Sequence, residues 1–197
     1  MEEIMQLLCS LQPMSGALER HLRKKIKPYF FRKGELLLRA GEVAGMILFI
    51  KKGLVRSYSL LDGKEVSNWF MKEGRIIISV ESFLMQVPAE EWIEALEDCE
   101  CWGFTYAELE QTYRKFPRFE RVGRLITGAY YCLSEARHRS QRRRSKEEKY
   151  DYMMATEPDL VARVLNKYMA SYLDISVRSY AELRSEYAKR KGSKRRK

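Results

Sequence analysis

Between Pro28 and about Phe104 the chain is punctuated by turn pairs at intervals of roughly 8–12 residues: Lys33-Gly34, Gly41-Glu42, Lys52-Gly53, Asp62-Gly63 and Glu73-Gly74. Short apolar runs lie between them, so this stretch reads as an antiparallel sandwich or barrel rather than a parallel sheet. The clearest hairpin turns at Asp62-Gly63, between "LVRSYSLL" and "KEVSNWF", because both residues accept positive φ.

Helical spacing flanks this β region. Ile4, Leu7, Leu8 and Leu11 recur at steps of three and four, and Leu18, Leu22 and Ile26 repeat the pattern after Pro13 and Gly16. Downstream, Phe119, Val122, Ile126, Tyr130 and Leu133 form the apolar stripe of a long helix. Such a stripe packs on its own barrel in a monomer and on its copy in a dimer. Gly123 and Gly128 cost about 1 kcal/mol each in a helix, a cost that close approach of two helices would offset, so dimerisation is expected. The segment from His138 to Ser145 then turns polar and basic, Ser145-x-x-Glu148 resembles a capping box, and Pro158 begins a further helix. The domain boundary falls near residues 138–146.

Charge divides the chain unevenly. Residues 130–197 hold 18 of the 37 Lys/Arg but only 9 of the 27 Asp/Glu, so +9 of the net +10 lies there. That end suits a polyanion, because neutralising phosphates releases counterions. No run approaches the roughly 20 apolar residues of a spanning helix and the N-terminus lacks a basic leader, so a cytoplasmic protein without membrane contact is expected. Cys9, Cys99, Cys101 and Cys132 lack metal-ligand spacing and are expected as reduced thiols, with no metal site. His21 and His138 sit in no nucleophile motif, and no catalytic residue is assigned: an enzyme is not expected.

Residues 165–184, "LNKYMASYLDISVRSYAELR", carry two short helical patterns around "LDIS". Ala170 supplies the small residue of a helix crossing, and Met169, Leu173, Ile175, Tyr180 and Leu183 supply a shared core. Asp174 occupies the turn, where a left-handed conformation is tolerated by Asp, and Ser176 is a natural N-cap for a helix beginning at Val177. The candidate DNA-binding residues are Ser176, Arg178, Ser179, Glu182, Arg184, Ser185, Lys189 and Arg190. Arg can fork onto guanine and Glu can accept from cytosine.

The motifs "RKGELLLRAGE", "LFIKKGLVRSY", "DGKEV", "ESFL", "IEALED" and "LNKYMASYLDIS" together resemble the Crp/Fnr family of transcription regulators, in the short form common in Bacteroidetes. The resemblance implies an α+β chain. Residues 1–118 would be a sensor with a jelly-roll, cyclic-nucleotide-binding type barrel, 119–140 a dimerisation helix and hinge, and 141–197 a helix-turn-helix domain with a basic tail. It implies a homodimer on double-stranded DNA, with RNA polymerase as a further candidate partner and an unidentified small-molecule effector. In members that bind cyclic AMP a Gly-Glu pair holds the ribose and an Arg-Ser pair the phosphate. Here Val80 replaces the glycine before Glu81, and Ala89-Glu90, with Glu91 beside it, falls at the Arg-Ser position. No tight cyclic-nucleotide binding and no cofactor are therefore expected. Glu81, Ser82, Ala89, Glu90 and Trp92, with Trp69, remain candidates to line a pocket for another molecule. The family's wing after the second helix is replaced by "SEYAKRKGSKRRK", and its usual Glu-before-Arg order is reversed in Arg178 and Glu182. An alternative is a ligand-binding or protein-interaction module whose degenerate helix pair no longer reads DNA.

Overall fold

The computed structural model describes residues 1–142 and 145–194, with side chains described outside 140–144 and 191–197. The last residues of the basic tail therefore lie outside the described side chains. The chain divides into two units, Met1–Ser59 with Trp69–Cys132, and Leu60–Asn68 with Leu133–Lys197. This differs from the division read in the sequence: the hairpin tip groups with the C-terminal helices, and Glu120–Cys132 with the barrel.

In the first unit α1 (Glu2–Leu11) and α2 (Gly16–Lys25) precede the barrel, and Ser15 caps α2 by accepting the Leu18 N–H. The strands are β1 (Lys27–Phe31), β2 (Leu36–Leu38), β3 (Met46–Lys52), β4 (Val55–Leu61), β5 (Lys64–Met71), β6 (Ile76–Ile77), β7 (Trp92–Ala95) and β8 (Cys99–Thr105), with α3 (Val80–Met85) before β7. They form two four-stranded sheets, β1-β8-β3-β6 and β2-β7-β4-β5, the jelly-roll arrangement. The Asp62-Gly63 turn takes φ of 50° and 74°, as the primed hairpin turn demands. At Gly53 (φ 111°) a Cβ would lie 2.8 Å from the Asp98 carbonyl, so backbone approach as well as dihedral requires glycine. Leu22, Ile50, Val55, Phe83 and Ala95 are fully buried in the common core.

α4 (Tyr106–Lys115) opens with a capping box formed by Thr105 and Glu108, a T-x-x-E pattern legible in the sequence. A single 3-10 turn, Pro117–Phe119, leads into α5 (Glu120–Arg142). Phe119 and Val122 are buried in the barrel core, and Ile126 and Tyr130 pack against it. The Tyr130 hydroxyl accepts the Ile76 N–H at 2.6 Å. The stripe expected to pair with a second copy thus covers its own barrel, with Leu133, 44% exposed, outside the covered part. Periodicity reports that a face is buried, not by what. At Gly123 a Cβ would meet the hydroxyl end of the Tyr113 side chain, whereas Gly128 faces open space.

The second unit comprises α6 (Lys146–Thr156), α7 (Pro158–Arg163), α8 (Asn166–Tyr172) and α9 (Val177–Lys194), with the β4–β5 tip. Ser145 and Glu148 form the capping box of α6 as the spacing predicts. Its core is aromatic: Tyr150 meets Tyr180 at 5.6 Å and Tyr187 at 5.7 Å between ring centroids, beside Met169, Leu173 and Leu183. The tip is tied to α8 where the Ser67 N–H donates to Ser171 Oγ at 2.8 Å. Among the described residues no helix is long and apolar enough to cross a membrane.

Candidate nucleic-acid interface

The α8–α9 pair is built around its turn. Asp174 adopts φ of 54°, and the Ile175 N–H returns to the Ala170 carbonyl at 3.0 Å, closing α8. Lys149 of α6 adds a cation to that C-terminus, donating to the Leu173 carbonyl at 2.9 Å, which favours the negative end of the helix dipole. Ser176 Oγ accepts the Ser179 N–H at 3.0 Å and lies 2.9 Å from the Ser179 hydroxyl. α9 therefore starts at Val177, and Met169, Ala170, Leu173, Tyr180 and Leu183 are all buried.

The eight candidate DNA-binding residues separate into three groups. Ser176 and Ser179 are occupied in the cap. Arg184 reaches back to α8, donating to Asn166 Oδ1 at 2.7 Å, and Arg190 pairs with Asp151 of α6 at 3.1 Å. Arg178, Glu182, Ser185 and Lys189 remain, at intervals of four, three and four residues, on the face of α9 opposite Tyr180 and Tyr187. All four are exposed, and Arg178 bonds Glu182 across one turn at 3.0 Å. That pair is 89% and 52% exposed and so worth little to stability. The ties of Arg184 and Arg190 were not legible in the sequence, because Asn166 and Asp151 lie on other helices.

The barrel treats its candidates differently. Strands β4 and β7 are paired with Arg56 opposite Glu94, Ser57 opposite Ile93 and Tyr58 opposite Trp92. Trp92 stacks on Tyr58 at 5.6 Å, the Arg56 guanidinium lies 4.2 Å above the Tyr58 ring, and Arg56 bonds Glu94 at 2.7 Å. These four share one face, and Val55, Ile93 and Ala95 put the core on the other. Trp92 thus faces away from the interior, whereas Trp69 packs against it. Glu81 and Glu90 are exposed. Ser82 is buried and used within the fold, accepting the Ala44 N–H at 2.8 Å and donating to the Val87 carbonyl at 2.6 Å. Ala89 pairs through its backbone with Gly41 and Glu42, both at 2.8 Å. Of the five expected pocket residues, Ser82 and Ala89 are thus buried, Trp92 is half-buried, and Glu81 and Glu90 are exposed. The acid that does face inward is Glu91, whose carboxylate accepts the hydroxyl proton of the fully buried Ser57. Residue counting located the strand; its pleat decided which acid points in. Burial pushes the thiols of Cys99 and Cys101 up to about 11 and about 12, so both are unreactive near neutrality.

Residues 29–116 match the family model of the cyclic nucleotide-binding domain. A search of curated proteins finds no match. Among solved structures, FixK2 from Bradyrhizobium japonicum is 17% identical over 84% of this chain and 85% of its own, with a TM-score of 0.73. A transcriptional regulator of the crp/fnr family from Eubacterium rectale is 13% identical over 91% and 88%, with a TM-score of 0.70. The c-di-GMP-responsive global regulator CLP of Xanthomonas campestris is 13% identical over 88% and 92%, with a TM-score of 0.68. At these identities the shared property is the fold.

Proposed function

We propose that this chain is a DNA-binding transcription regulator that acts as a homodimer and is not controlled by cyclic AMP. The observation that carries the reading is the outward face of α9. Arg178, Glu182, Ser185 and Lys189 stand clear of the fold on a helix whose opposite face is locked by Tyr180, Leu183 and Tyr187. A helix so held can enter a major groove without first being ordered, with Arg178 and Glu182 reading base edges and Lys189 contacting phosphate.

Pairing would use the face of α5 that the barrel leaves uncovered. Gly128 offers open space there, Tyr131 is 67% exposed, and Cys132 is exposed beside it. A small residue flanked by an aromatic one allows two helices to approach closely. The two recognition helices of such a dimer would then meet successive major grooves about 34 Å apart. Inside the barrel, Glu91 held by Ser57 presents a carboxylate where a cyclic phosphate would need a cation. An uncharged or cationic effector is compatible with that interior; a cyclic nucleotide is not.

Gel-shift titration on genomic fragments tests the reading. Binding to a subset of fragments at least tenfold tighter than to random duplex, at physiological salt, supports it; equal binding to all sequences at every salt concentration refutes it. Calorimetry with cyclic AMP and cyclic GMP should give no saturable heat. Cross-linking at Cys132 with a short bis-maleimide should yield a covalent dimer that Cys132→Ser abolishes.

A further inference from the structure

In the barrel unit the cations Arg23, Lys25, Lys51 and Arg56 each meet a carboxylate, those of Glu2, Glu108, Glu100 and Glu94. Arg118, Arg121 and Arg124 form no ion pair among the described residues, although Glu120 lies between them in sequence. They project at three-residue steps from the 3-10 turn and the opening turns of α5, and all three are exposed. With Gln12, Pro117 and Glu120 they line a cleft of about 590 Å³.

Like charges three residues apart on a helix repel, and the helix start adds further positive potential. Three guanidinium groups and the Glu120 carboxylate leave the concavity with a net charge of about +2, a field that suits a phosphate-bearing anion. The remaining wall supplies a different need. Gln12 Oε1 is buried and accepts no hydrogen bond from the protein, so it calls for a donor. The volume falls within the range of small-molecule clefts, about 300–1,000 Å³.

We propose that this cleft binds a small phosphorylated molecule, of the nucleoside phosphate or inorganic phosphate class. The planar forks of the three arginines match phosphate oxygens pairwise, and Gln12 would accept an N–H or O–H of a nucleoside. The site lies wholly within the barrel unit and does not depend on DNA reading by α9.

The test is calorimetry on the full chain at physiological salt with tripolyphosphate and ATP as probes, alongside hydrogen exchange. The expected result is one site per chain with slowed exchange at residues 12 and 117–124. R118Q/R121Q/R124Q, substitutions at exposed positions, should weaken binding at least about tenfold without changing the melting curve. The single substitution R121Q should show part of that loss. K189Q/R190Q on α9 should leave the affinity unchanged. Q12A that weakens ATP alone identifies a nucleotide; Q12A that weakens neither probe identifies inorganic phosphate as the ligand class. The proposal is overturned if neither probe binds, or if binding is lost in K189Q/R190Q and kept in the arginine variant. It is equally overturned if the arginine substitutions alter only self-association or only affinity for duplex DNA.

Discussion

The outer face of α9 and the interior of the barrel were both expected to present side chains to a ligand, and helix and strand distribute those side chains by different rules. On α9 the 3.6-residue period alone determines which residues share a face, so Arg178, Glu182, Ser185 and Lys189 fall together once Tyr180 and Leu183 are buried. In the barrel, neighbours along the chain point to opposite sides of the sheet, and a shift of one residue exchanges interior for exterior. Glu91 bonds Ser57 on the core side of the sheet while Trp92 stacks on Tyr58 on its other side. Candidate surface sites on helices are therefore more readable from a sequence than candidate interior sites on strands.

The severest way to break this contrast is to remove the support of the α9 face. Tyr180→Ala should cost about 3–5 kcal/mol, as for other buried aromatic residues. Hydrogen exchange should show protection lost over residues 145–187 but retained in β3 and β8. Tyr180→Phe should not destabilise, because the Tyr180 hydroxyl is buried without a partner. If Phe destabilises as Ala does, the proposed packing is wrong.

Next in size is the reading of base edges. Arg178→Ala should cost about 1–3 kcal/mol at a preferred operator and little on random duplex. Lys189→Ala should weaken binding to all sequences similarly and lower the salt slope by about 1, measured by fluorescence anisotropy across a salt series. Equal losses for both variants on all sequences would reduce the face to a phosphate-tracking surface.

Caps occur in both regions and sharpen the comparison at smaller scale. Ser176→Ala and Thr105→Ala should each cost about 0.5–2 kcal/mol in chemical denaturation. Only the first should also weaken DNA binding, since only it frays the start of α9.

The smallest effect concerns acidity. His21, in the barrel unit, lies 3.0 Å from Thr112 Oγ1, and burial is the main cause holding its pKa below the ordinary value. The folded form thus favours neutral imidazole. The associated stability is present above about pH 6.5 and declines as pH falls through the lowered folded value. His21→Gln should flatten the pH dependence of melting in that window, and an unchanged slope would dismiss the contribution.

The sequence by itself determined the turn-punctuated β region, the left-handed Asp174, the Ser176 and Ser145 caps and the hydrophobic set that joins α8 to α9. Each depends on residues within a few positions of one another, where backbone preference and short-range hydrogen bonding decide the outcome. The tertiary structure alone decided that the α5 stripe covers its own barrel and that Arg184 and Arg190 are held by Asn166 and Asp151. It also decided that Glu91 rather than Glu81 or Glu90 faces inward, and that Arg118, Arg121 and Arg124 share a cleft with Gln12. Those outcomes join residues far apart in the chain. Periodicity can say that a side is covered or that a charge exists, but only the packed fold brings the partner to it.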